Sequence, residues 1–340
     1  MDSARFRDVT SRYRQLRIAV VGDFFLDRYF DIDPAKAETS LETGLTVHNI
    51  VRVRCQPGAA GTILNNLVAL GVGKIYPVGS CGEDGEGWEL LKALGARDGV
   101  ELAHFVQSPE IRTCTYTKPL LCEPGKPPVE LNRLDIKNWQ PTAHGIQEAL
   151  CKAVEKLLPE VNATIVLDQV EVAETGVVTR RLLRAIEECI PRVPSLPIIA
   201  DSRRGLRGFP PVILKMNARE LSALTGMSGD APLVDIEQYA ANLARAKGRA
   251  VIVTLAERGM VGVGPDGTLA RCPAYPVRGE IDIVGAGDAV TANLAVSLAA
   301  GATIGEAIDL ASAAASIVIH QLGTTGTASV KEIGQLLSIV

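Results

Sequence analysis

Residues 282–288 read Asp-Ile-Val-Gly-Ala-Gly-Asp (DIVGAGD), and the apolar stretch AVTANLAVSLAA (289–300) follows at once. A strand-like run thus reaches a turn with two glycines and passes directly into a segment that is apolar nearly all round, which predicts a buried helix over Gly285–Ala300. Four backbone N–H groups point out of that helix end, those of Gly285, Ala286, Gly287 and Asp288. With the helix dipole they favour a bound negative charge, and the glycines let an anion approach the backbone closely.

Asp288 lies in the first turn of this predicted helix, where a carboxylate has two interpretations. It is commonly a simple helix stabiliser, because its charge complements the dipole. Beside an anion site it is also placed to take a proton from a hydroxyl that attacks a phosphate. From this stretch alone, both interpretations stay open.

Two common nucleotide-binding patterns do not fit the chain. The pair Gly285-x-Gly287 lacks the third glycine of G-x-G-x-x-G, because Val290 stands there, and it comes late in the chain. The P-loop pattern G-x-x-x-x-G-K-[ST] is absent, since Gly73-Lys74 is followed by Ile75. The anion site therefore belongs to neither type.

Around this stretch, short apolar runs alternate with longer segments of helical period, which is typical of an α/β fold with a parallel sheet. The predicted strands are Arg17–Gly22, Lys74–Gly79, Ala163–Leu167, Pro197–Ala200, Val212–Leu214 and Arg249–Thr254. The other predicted helices are Gly58–Leu70, Trp88–Leu94, Ala143–Leu158, Thr175–Cys189, Ile236–Lys247 and Ile304–His320. Segments 43–54 and 111–135, the latter with a turn at Cys122–Pro128, alternate like strands and predict a small antiparallel lid sheet. No Pro/Ser-rich linker interrupts the chain, so we expect residues 1–340 to form one domain.

Composition argues against several classes of protein. The 35 Lys and Arg against 39 Asp and Glu give a net charge of −4 without a basic run, which argues against nucleic-acid binding. The N-terminus lacks the apolar core of a signal peptide, and no window approaches the ~18 apolar residues of a transmembrane helix. The seven cysteines are scattered without a C-x-x-C pair, as expected for reduced thiols. We therefore expect a cytoplasmic protein with no zinc, nucleic-acid or membrane partner.

Three further segments place polar or small residues where α/β proteins bind ligands. Asp23 and Asp27 follow the first strand, where carboxylates suit sugar hydroxyls, although an exposed turn is the alternative. Residues 57–62 open a helix with small side chains, which permits either a close ligand or tight helix–sheet packing. Asn217 and Glu220 share a helix face, which suits a water-mediated Mg²⁺ site near phosphates, or equally a capping box.

In combination, these motifs resemble the ribokinase/PfkB family of sugar kinases over nearly the full length. The family's second signature, D-[ST]-[TV]-G-A-G-D, stands at 282–288, and its first, a small-residue helix start, at Gly58–Asn66 with Leu70-Gly71. Within the family the chain is most similar to the heptose 7-phosphate kinases, through Val20–Phe30, Asn132–Asp135, Met216–Glu220, Val253–Met260 and Leu322–Thr324. Many of those proteins continue into a nucleotidyltransferase domain that this chain does not reach, so we expect a stand-alone kinase.

The resemblance implies a ribokinase-like three-layer α/β/α fold and ATP-dependent phosphorylation of a sugar or sugar-phosphate hydroxyl, heptose 7-phosphate being the first choice. It implies that Asp288 is the general base and that the amides of Gly285–Asp288 form the anion hole. The residues implied to hold the acceptor are Asp23, Asp27, Gly58, Asn66 and Arg133, with Arg133 meeting a substrate phosphate. Those implied to bind nucleotide and Mg²⁺ are Asn217, Glu220, Thr254, Glu257, Gly259 and Ser312, with Glu220 as the metal contact. Asp282 is implied near a K⁺-type cation, and the lid is implied to make a homodimer.

Several residues depart from the family's pattern. Ala59 replaces a glycine, Thr62 a substrate-contacting asparagine and Val284 a threonine, while Ser312 stands where Asn is frequent. The family's S-D-Y-x-K-G segment becomes the longer stretch 167–176. Since several changes lie on the sugar side, the alternatives are another sugar, hexose phosphate or nucleoside, or a catalytically silent sugar- or nucleotide-binding regulator. Asp288 argues against the silent protein, because a pure binder needs no base in its anion site.

Overall fold

The computed structural model describes residues 1–323 and 325–339. The strands of the described residues are β1 (Arg17–Gly22), β2 (Phe24–Ile32), β3 (Glu38–Thr39), β4 (Thr46–Val47), β5 (Ile50–Ala59), β6 (Lys74–Val78), β7 (Ser80–Gly82), β8 (Val106–Ser108), β9 (Thr115–Leu121), β10 (Val129–Glu130), β11 (Leu134–Ile136), β12 (Ala163–Asp168), β13 (Ile198–Ser202), β14 (Ile213–Asn217), β15 (Val251–Thr254), β16 (Met260–Val263) and β17 (Leu269–Cys272). Their α-helices are α1 (Ser3–Ser11), α2 (Ala60–Ala69), α3 (Gly85–Gly95), α4 (His144–Leu157), α5 (Arg180–Cys189), α6 (Ala218–Thr225), α7 (Leu233–Lys247), α8 (Ala286–Ala299), α9 (Ile304–Val318) and α10 (Val330–Leu336).

The main sheet has eight strands among the described residues, in the order β17-β16-β15-β14-β13-β12-β1-β6. The six strands from β15 to β6 are parallel, and β16 and β17 add an antiparallel edge. Successive side chains of β1 enter two different apolar clusters, Ile18 and Val20 on one face and Ala19 and Val21 on the other. Because helices cover both faces, this strand is apolar throughout.

Helices α4 to α7 pack on one face of the main sheet, and α1, α2, α3, α8, α9 and α10 pack on the other side. Helix α8 is the most enclosed of them, with every side chain from Ala289 to Ser297 buried. This agrees with the apolar character that its sequence predicts. The layers of helix, sheet and helix confirm the predicted three-layer fold. No helix in residues 1–323 and 325–339 has the length and apolar character needed to cross a membrane.

A second sheet has the order β10-β9-β2-β5, with β11 also paired to β9. The predicted lid segments 43–54 and 111–135 contribute β5, β9, β10 and β11 to this sheet, and the predicted turn joins β9 to β10, while β4 pairs with β3 in a separate two-stranded sheet. The sheet was predicted to be antiparallel, but β2 and β9 pair in parallel. Strand β2 was not predicted. Asp23 and Asp27 were expected in a turn, but only Asp23 lies between β1 and β2, and Asp27 lies inside β2.

Two predicted helices begin later than the sequence indicates. Helix α2 was predicted from Gly58, but β5 continues to Ala59 because it pairs with β2 up to Phe24. Helix α5 was predicted from Thr175 but begins at Arg180, because the preceding Thr179 side chain accepts the N-terminal N–H of Leu182. Helices α1 and α10 and strands β16 and β17 were not predicted.

Candidate active site

The N-terminal end of α8 lies at the carboxyl edge of the main sheet. Gly285 precedes the helix with φ +84°, a left-handed conformation that glycine adopts without strain. The N–H of Ala286 donates to the carbonyl of Ile283 at 3.2 Å, so it is not available to a ligand. Among the described residues, those of Gly287 and Asp288 meet no acceptor, which leaves two of the four predicted amides clearly free for an anion.

The Asp288 carboxylate is half-buried in the first turn of α8. Burial raises the pKa of Asp288 to about 7; the charges of Asp201 and Asp27 add to this effect, and that of Lys215 opposes it. Asp288 therefore lies within electrostatic range of three charged groups from three different strands. A carboxyl group with a pKa near neutrality suits proton transfer at physiological pH.

Lys215 and Asp201 form a buried ion pair beside the helix end, which the sequence analysis missed. Lys215 Nζ lies 2.6 Å from Asp201 Oδ2, and the side chains are only 7% and 14% exposed. A Cβ atom on Gly287 would lie 3.2 Å from that Nζ, so the ammonium group stands directly against the α8 terminus. Burial alone lowers the pKa of Lys215, but the Asp201 carboxylate more than compensates and raises it. The sequence did contain one indication of this ion pair, because a lysine next to Leu214 in the apolar strand β14 needs an acidic partner if it is buried.

The Asp27 carboxylate acts on Asp288 from strand β2 of the second sheet. Its side chain is 6% exposed, and no hydrogen bond to its carboxylate is seen in the described part of the chain. A Cβ on Gly58 would lie 2.8 Å from the Asp27 carboxylate, so glycine at 58 makes room for that group. Burial raises the pKa of Asp27, and Lys118 and Arg133 oppose the shift. Among residues 1–323 and 325–339, Asp27 is thus a buried acceptor without a protein donor.

Asp23 and Asn66 were expected to hold substrate hydroxyls, but the structure engages both with the backbone. The Asp23 carboxylate accepts the N–H groups of Gln169, Val170 and Val177. Burial nevertheless raises the pKa of Asp23 to about 6. Asn66 is completely buried, and its amide donates to the carbonyl of Thr62 at 3.0 Å. These backbone contacts were not predicted, and the expected roles of the two side chains toward substrate hydroxyls stay predictions.

Arg133 lies on the acceptor side, close to Asp27. Its guanidinium forms two hydrogen bonds with Asp135, at 2.7 and 2.8 Å, and stacks 4.4 Å from the ring centre of Tyr116. Lys137 and Arg203 also lower the pKa of Tyr116, which burial raises. A group of positive charges therefore surrounds one aromatic ring next to Asp27.

The residues expected on the nucleotide side follow β14 and β15. Asn217 and Glu220 form a reciprocal capping box at the start of α6, the structural alternative left open by the sequence. Thr254 ends β15 and donates to the Met216 carbonyl at 3.5 Å. The remaining three are Glu257 in a short 3₁₀ turn, Gly259 with φ +88° after it, and Ser312, buried in α9 beside Cys272. No nucleotide contact of these residues is tested, and their roles stay predictions.

The loops flanking α8 contain the remaining expected residues. The Asp282 carboxylate accepts the N–H of Val284 at 3.0 Å, which turns one of its oxygens toward its own loop. Thr325 lies against Gly285 and accepts a hydrogen bond of 2.8 Å from Gln56, so β5 contacts the α8 terminus through this loop. Of the motif Leu322–Thr324, Thr324 lies outside the described residues.

Geometry and fold together define a class of enzyme. A carboxyl group with a pKa near neutrality lies at a glycine-led helix terminus, and a second buried carboxylate, that of Asp27, lies within its electrostatic range. This arrangement suits transfer of an anionic group to a hydroxyl. The model of the pfkB family of carbohydrate kinases matches residues 16–331, so the chain belongs to this family of kinases. Membership implies ATP as the phosphoryl donor and a small sugar as the acceptor.

Curated relatives and solved structures agree with this assignment. The chain is 31% identical to the bifunctional protein HldE of Hyphomonas neptunium over 99% of its length, and 30% identical to that of Azorhizobium caulinodans over 90%. It spans 66% and 61% of those two proteins. Arabidopsis thaliana ribokinase, solved with ribose and ATP, covers 96% of the chain with 99% of its own at a TM-score of 0.67 and 22% identity. For Escherichia coli phosphofructokinase-2, the match covers 95% of this chain and 98% of the other, with a TM-score of 0.70 and 17% sequence identity. These likenesses confirm the predicted ribokinase-like fold.

Proposed function

We propose that the protein transfers the γ-phosphoryl group of ATP to a hydroxyl of a sugar phosphate, with heptose 7-phosphate as the leading acceptor. The observation that carries this proposal is the position of Asp288, in the first turn of α8 and within electrostatic range of Asp27. In the part of the chain that the structure describes, the amides of Gly287 and Asp288 meet no acceptor and the Asp27 carboxylate meets no donor. Asp27 accepts a hydrogen bond from the acceptor sugar and orients it. Asp288 takes the proton of the attacking hydroxyl.

In this reaction the acceptor oxygen forms a bond to the γ-phosphorus while the bond from that phosphorus to the β–γ bridging oxygen breaks. The proton of the acceptor hydroxyl passes to Asp288, and the leaving electron pair remains on ADP. The amides of Gly287 and Asp288, with the Lys215 ammonium, stabilise the negative charge on the transferred group. A Cβ atom at position 287 would lie 3.2 Å from Lys215 Nζ, so a side chain there would displace the ammonium group slightly.

The residues around Lys215 also fit a divalent cation associated with the phosphates. Asp201 is in contact with Lys215, and Asp288 and Glu220 also act on the pKa of that lysine. Residues 1–323 and 325–339 contain no group of three His, Cys, Asp or Glu side chains that could hold a metal unaided. Mg²⁺ would therefore be held largely by nucleotide phosphates and water, and would neutralise phosphate charge. For a monovalent cation, the free oxygen of Asp282 supplies one ligand.

The charge around Tyr116 favours a phosphorylated acceptor over a free sugar. Arg133 and Lys137 lie 4.4 and 5.6 Å from the ring centre, and Lys118 acts on Asp27 from the neighbouring strand position. Lys118 has no acidic partner within 4 Å among the described residues, so its charge is available to a ligand. The names of the HldE relatives and this charge together support heptose 7-phosphate.

The decisive experiment measures ADP release with heptose 7-phosphate, fructose 6-phosphate, ribose and a nucleoside as acceptors. We expect turnover with a sugar phosphate and a KM at least about tenfold higher in Arg133→Gln, since a charge-assisted contact to phosphate is lost. Arg14→Gln, an exposed arginine of the N-terminal region, is the matched control and should behave as wild type. Preference for ribose or the nucleoside would contradict the sugar-phosphate proposal, and ATP binding without any turnover would support a silent regulator.

We also propose that the second sheet forms the contact between two copies of this chain. Strand β5 is an edge strand, and its residues Ile50, Val51 and Val53 are 46%, 48% and 49% exposed. An edge with exposed apolar side chains is normally covered, because it otherwise promotes aggregation. Light scattering should find a dimer, and Val53→Lys should shift it toward monomer; a wild-type monomer at micromolar concentration would contradict this.

A further inference from the structure

The segment 169–177 replaces a shorter motif of the family, and one buried carboxylate binds the backbone at both of its ends. Near its second end, the N–H and hydroxyl of the buried Thr142 also donate to the carbonyls of Glu174 and Gly176. It connects β12 to the turn before α5 and has no regular secondary structure. Most of its backbone groups therefore need partners from outside the segment. The Asp23 carboxylate, 3% exposed, supplies several of them.

Asp23 contacts both ends of the segment at once. One carboxylate oxygen accepts the N–H groups of Gln169 and Val170 at 2.7 and 3.2 Å, and the other accepts that of Val177 at 2.7 Å. A Cβ on Gly176 would lie 2.4 Å from Asp23 Oδ1, so glycine at 176 is required for this approach. Two residues eight positions apart are thus tied to one side chain.

The backbone of Asp23 is fixed at the same point. Its N–H donates to the Leu167 carbonyl at 3.3 Å, and its carbonyl accepts the N–H of Ala60, the first residue of α2, at 3.0 Å. The side chain therefore acts from a rigid anchor between β12 and the signature helix α2. A clamp attached to such an anchor holds the segment in one position.

The clamped segment forms a wall beside the acceptor position. Two small adjoining pockets lie between the segment and the second sheet. They share five lining residues, Phe25, Cys114, Asn138, Val170 and Thr175. Phe25 lies two positions before Asp27 on β2, so both side chains are on the same face of the sheet.

A second contact joins this wall to the group of charges next to Asp27. Lys137 lies 3.1 Å from Glu171 in the segment and 3.4 Å from Asp135, which pairs with Arg133. Movement of the segment would therefore shift the positive charges that the proposed acceptor phosphate meets. The wall and the charges form one connected acceptor side.

We propose that Asp23 is a positioning residue, which clamps segment 169–177 as the acceptor-side wall of the active site without itself contacting the sugar. This inference rests on the proposed kinase function only for its kinetic test. It assigns specificity for the acceptor to the segment and leaves phosphoryl transfer to Asp288. Asp23 then affects acceptor binding through three backbone amides.

The test compares Asp23→Asn and Gly176→Ala with wild type, using whichever acceptor the ADP-release panel identifies. We expect the acceptor KM to rise about tenfold or more in both variants, while kcat changes by less than about threefold and the ATP KM by less than about twofold. Gly176→Ala keeps the charge and displaces the clamp by its methyl group, so it is independent of any folding defect in Asp23→Asn. Asp266→Asn, which alters a carboxylate bound to the Thr268 N–H in the turn after β16, is the matched control and should change neither constant.

Hydrogen–deuterium exchange tests the clamp without any substrate. The amides of Gln169, Val170 and Val177 should exchange about tenfold or more faster in both variants, and at the wild-type rate in the control. The proposal would be overturned by an unchanged exchange rate at these amides. It would also be overturned if kcat fell and both KM values rose together, because that pattern indicates a general defect of the active site. If no acceptor is phosphorylated, the proposed function fails while faster exchange still supports the clamp, so the two failures are distinguishable.

Discussion

Replacement of Asp288 with asparagine tests the catalytic and the energetic reasoning together. The variant removes a proton acceptor but keeps the shape of the side chain. We expect turnover to fall by about 10²–10⁴-fold, the usual contribution of a general base, with ATP affinity within a few-fold of wild type. Steady-state ADP release and nucleotide titration measure the two quantities.

The same substitution should stabilise the protein at alkaline pH. The pKa of Asp288 rises from 3.8 to about 7 on folding, mainly through burial, so the folded state binds a proton between these values that the unfolded state does not. The free energy of unfolding therefore falls as the pH rises through this window. Above pH 7 the Asp288 carboxylate is charged in both states, and its burial in the folded state costs stability. Three pH units at 1.36 kcal/mol give about 4 kcal/mol, and partial exposure reduces this to about 2–4 kcal/mol.

Urea unfolding at pH 8 and pH 5 measures this difference in free energy of unfolding. We expect Asp288→Asn to be more stable than wild type by about 2–4 kcal/mol at pH 8 and by clearly less at pH 5. Equal stability at both values would refute the claim that burial raises the pKa of this carboxyl group. Turnover above about a tenth of wild type would refute its role as the base.

Three further predictions follow from the geometry. In wild type, kcat/KM should fall about tenfold per pH unit below about pH 7 and level off above it, because Asp288 must be deprotonated; a limb near pH 4 would contradict this. Lys215→Met should lower the free energy of unfolding by about 3 kcal/mol, because it leaves Asp201 unpaired, and adding Asp201→Asn should recover part of this loss. If the single and the double variant lose the same stability, the two residues are not energetically coupled. Ala59→Gly should stabilise by about 1 kcal/mol in urea unfolding, because Ala59 has φ +52°, and a less stable variant would contradict the inferred strain.

Local features of the site could be predicted from the sequence. The DIVGAGD stretch predicts the α8 terminus because glycine spacing, an apolar run and a first-turn carboxylate all lie within one short segment. Gly58 was predicted to begin helix α2, but it lies at the end of β5, where the absence of a side chain makes room for Asp27. Short-range patterns therefore identified the centre of the site.

Features that depend on distant partners could not be predicted. Strand β2 resembles a loop in sequence because Asp27, Arg28 and Asp31 interrupt it, and it becomes a strand only by pairing with β5 and β9. Lys215 and Asp201 lie on neighbouring strands that no local pattern pairs. The contacts of Asp23 depend in the same way on backbone groups far along the chain, at Gln169, Val170 and Val177.

The junction between the two sheets limits how the chain can change in length. Only one residue separates β1 from β2, and β5 passes into α2 without an intervening residue. Insertion or deletion of one residue between Gly22 and Asp27 would reverse the faces of β2 and turn Asp27 away from Asp288. We therefore expect homologous chains to vary in length in the longer crossings, such as 109–114 and 137–143, and to keep the number of residues between Gly22 and Asp27 constant.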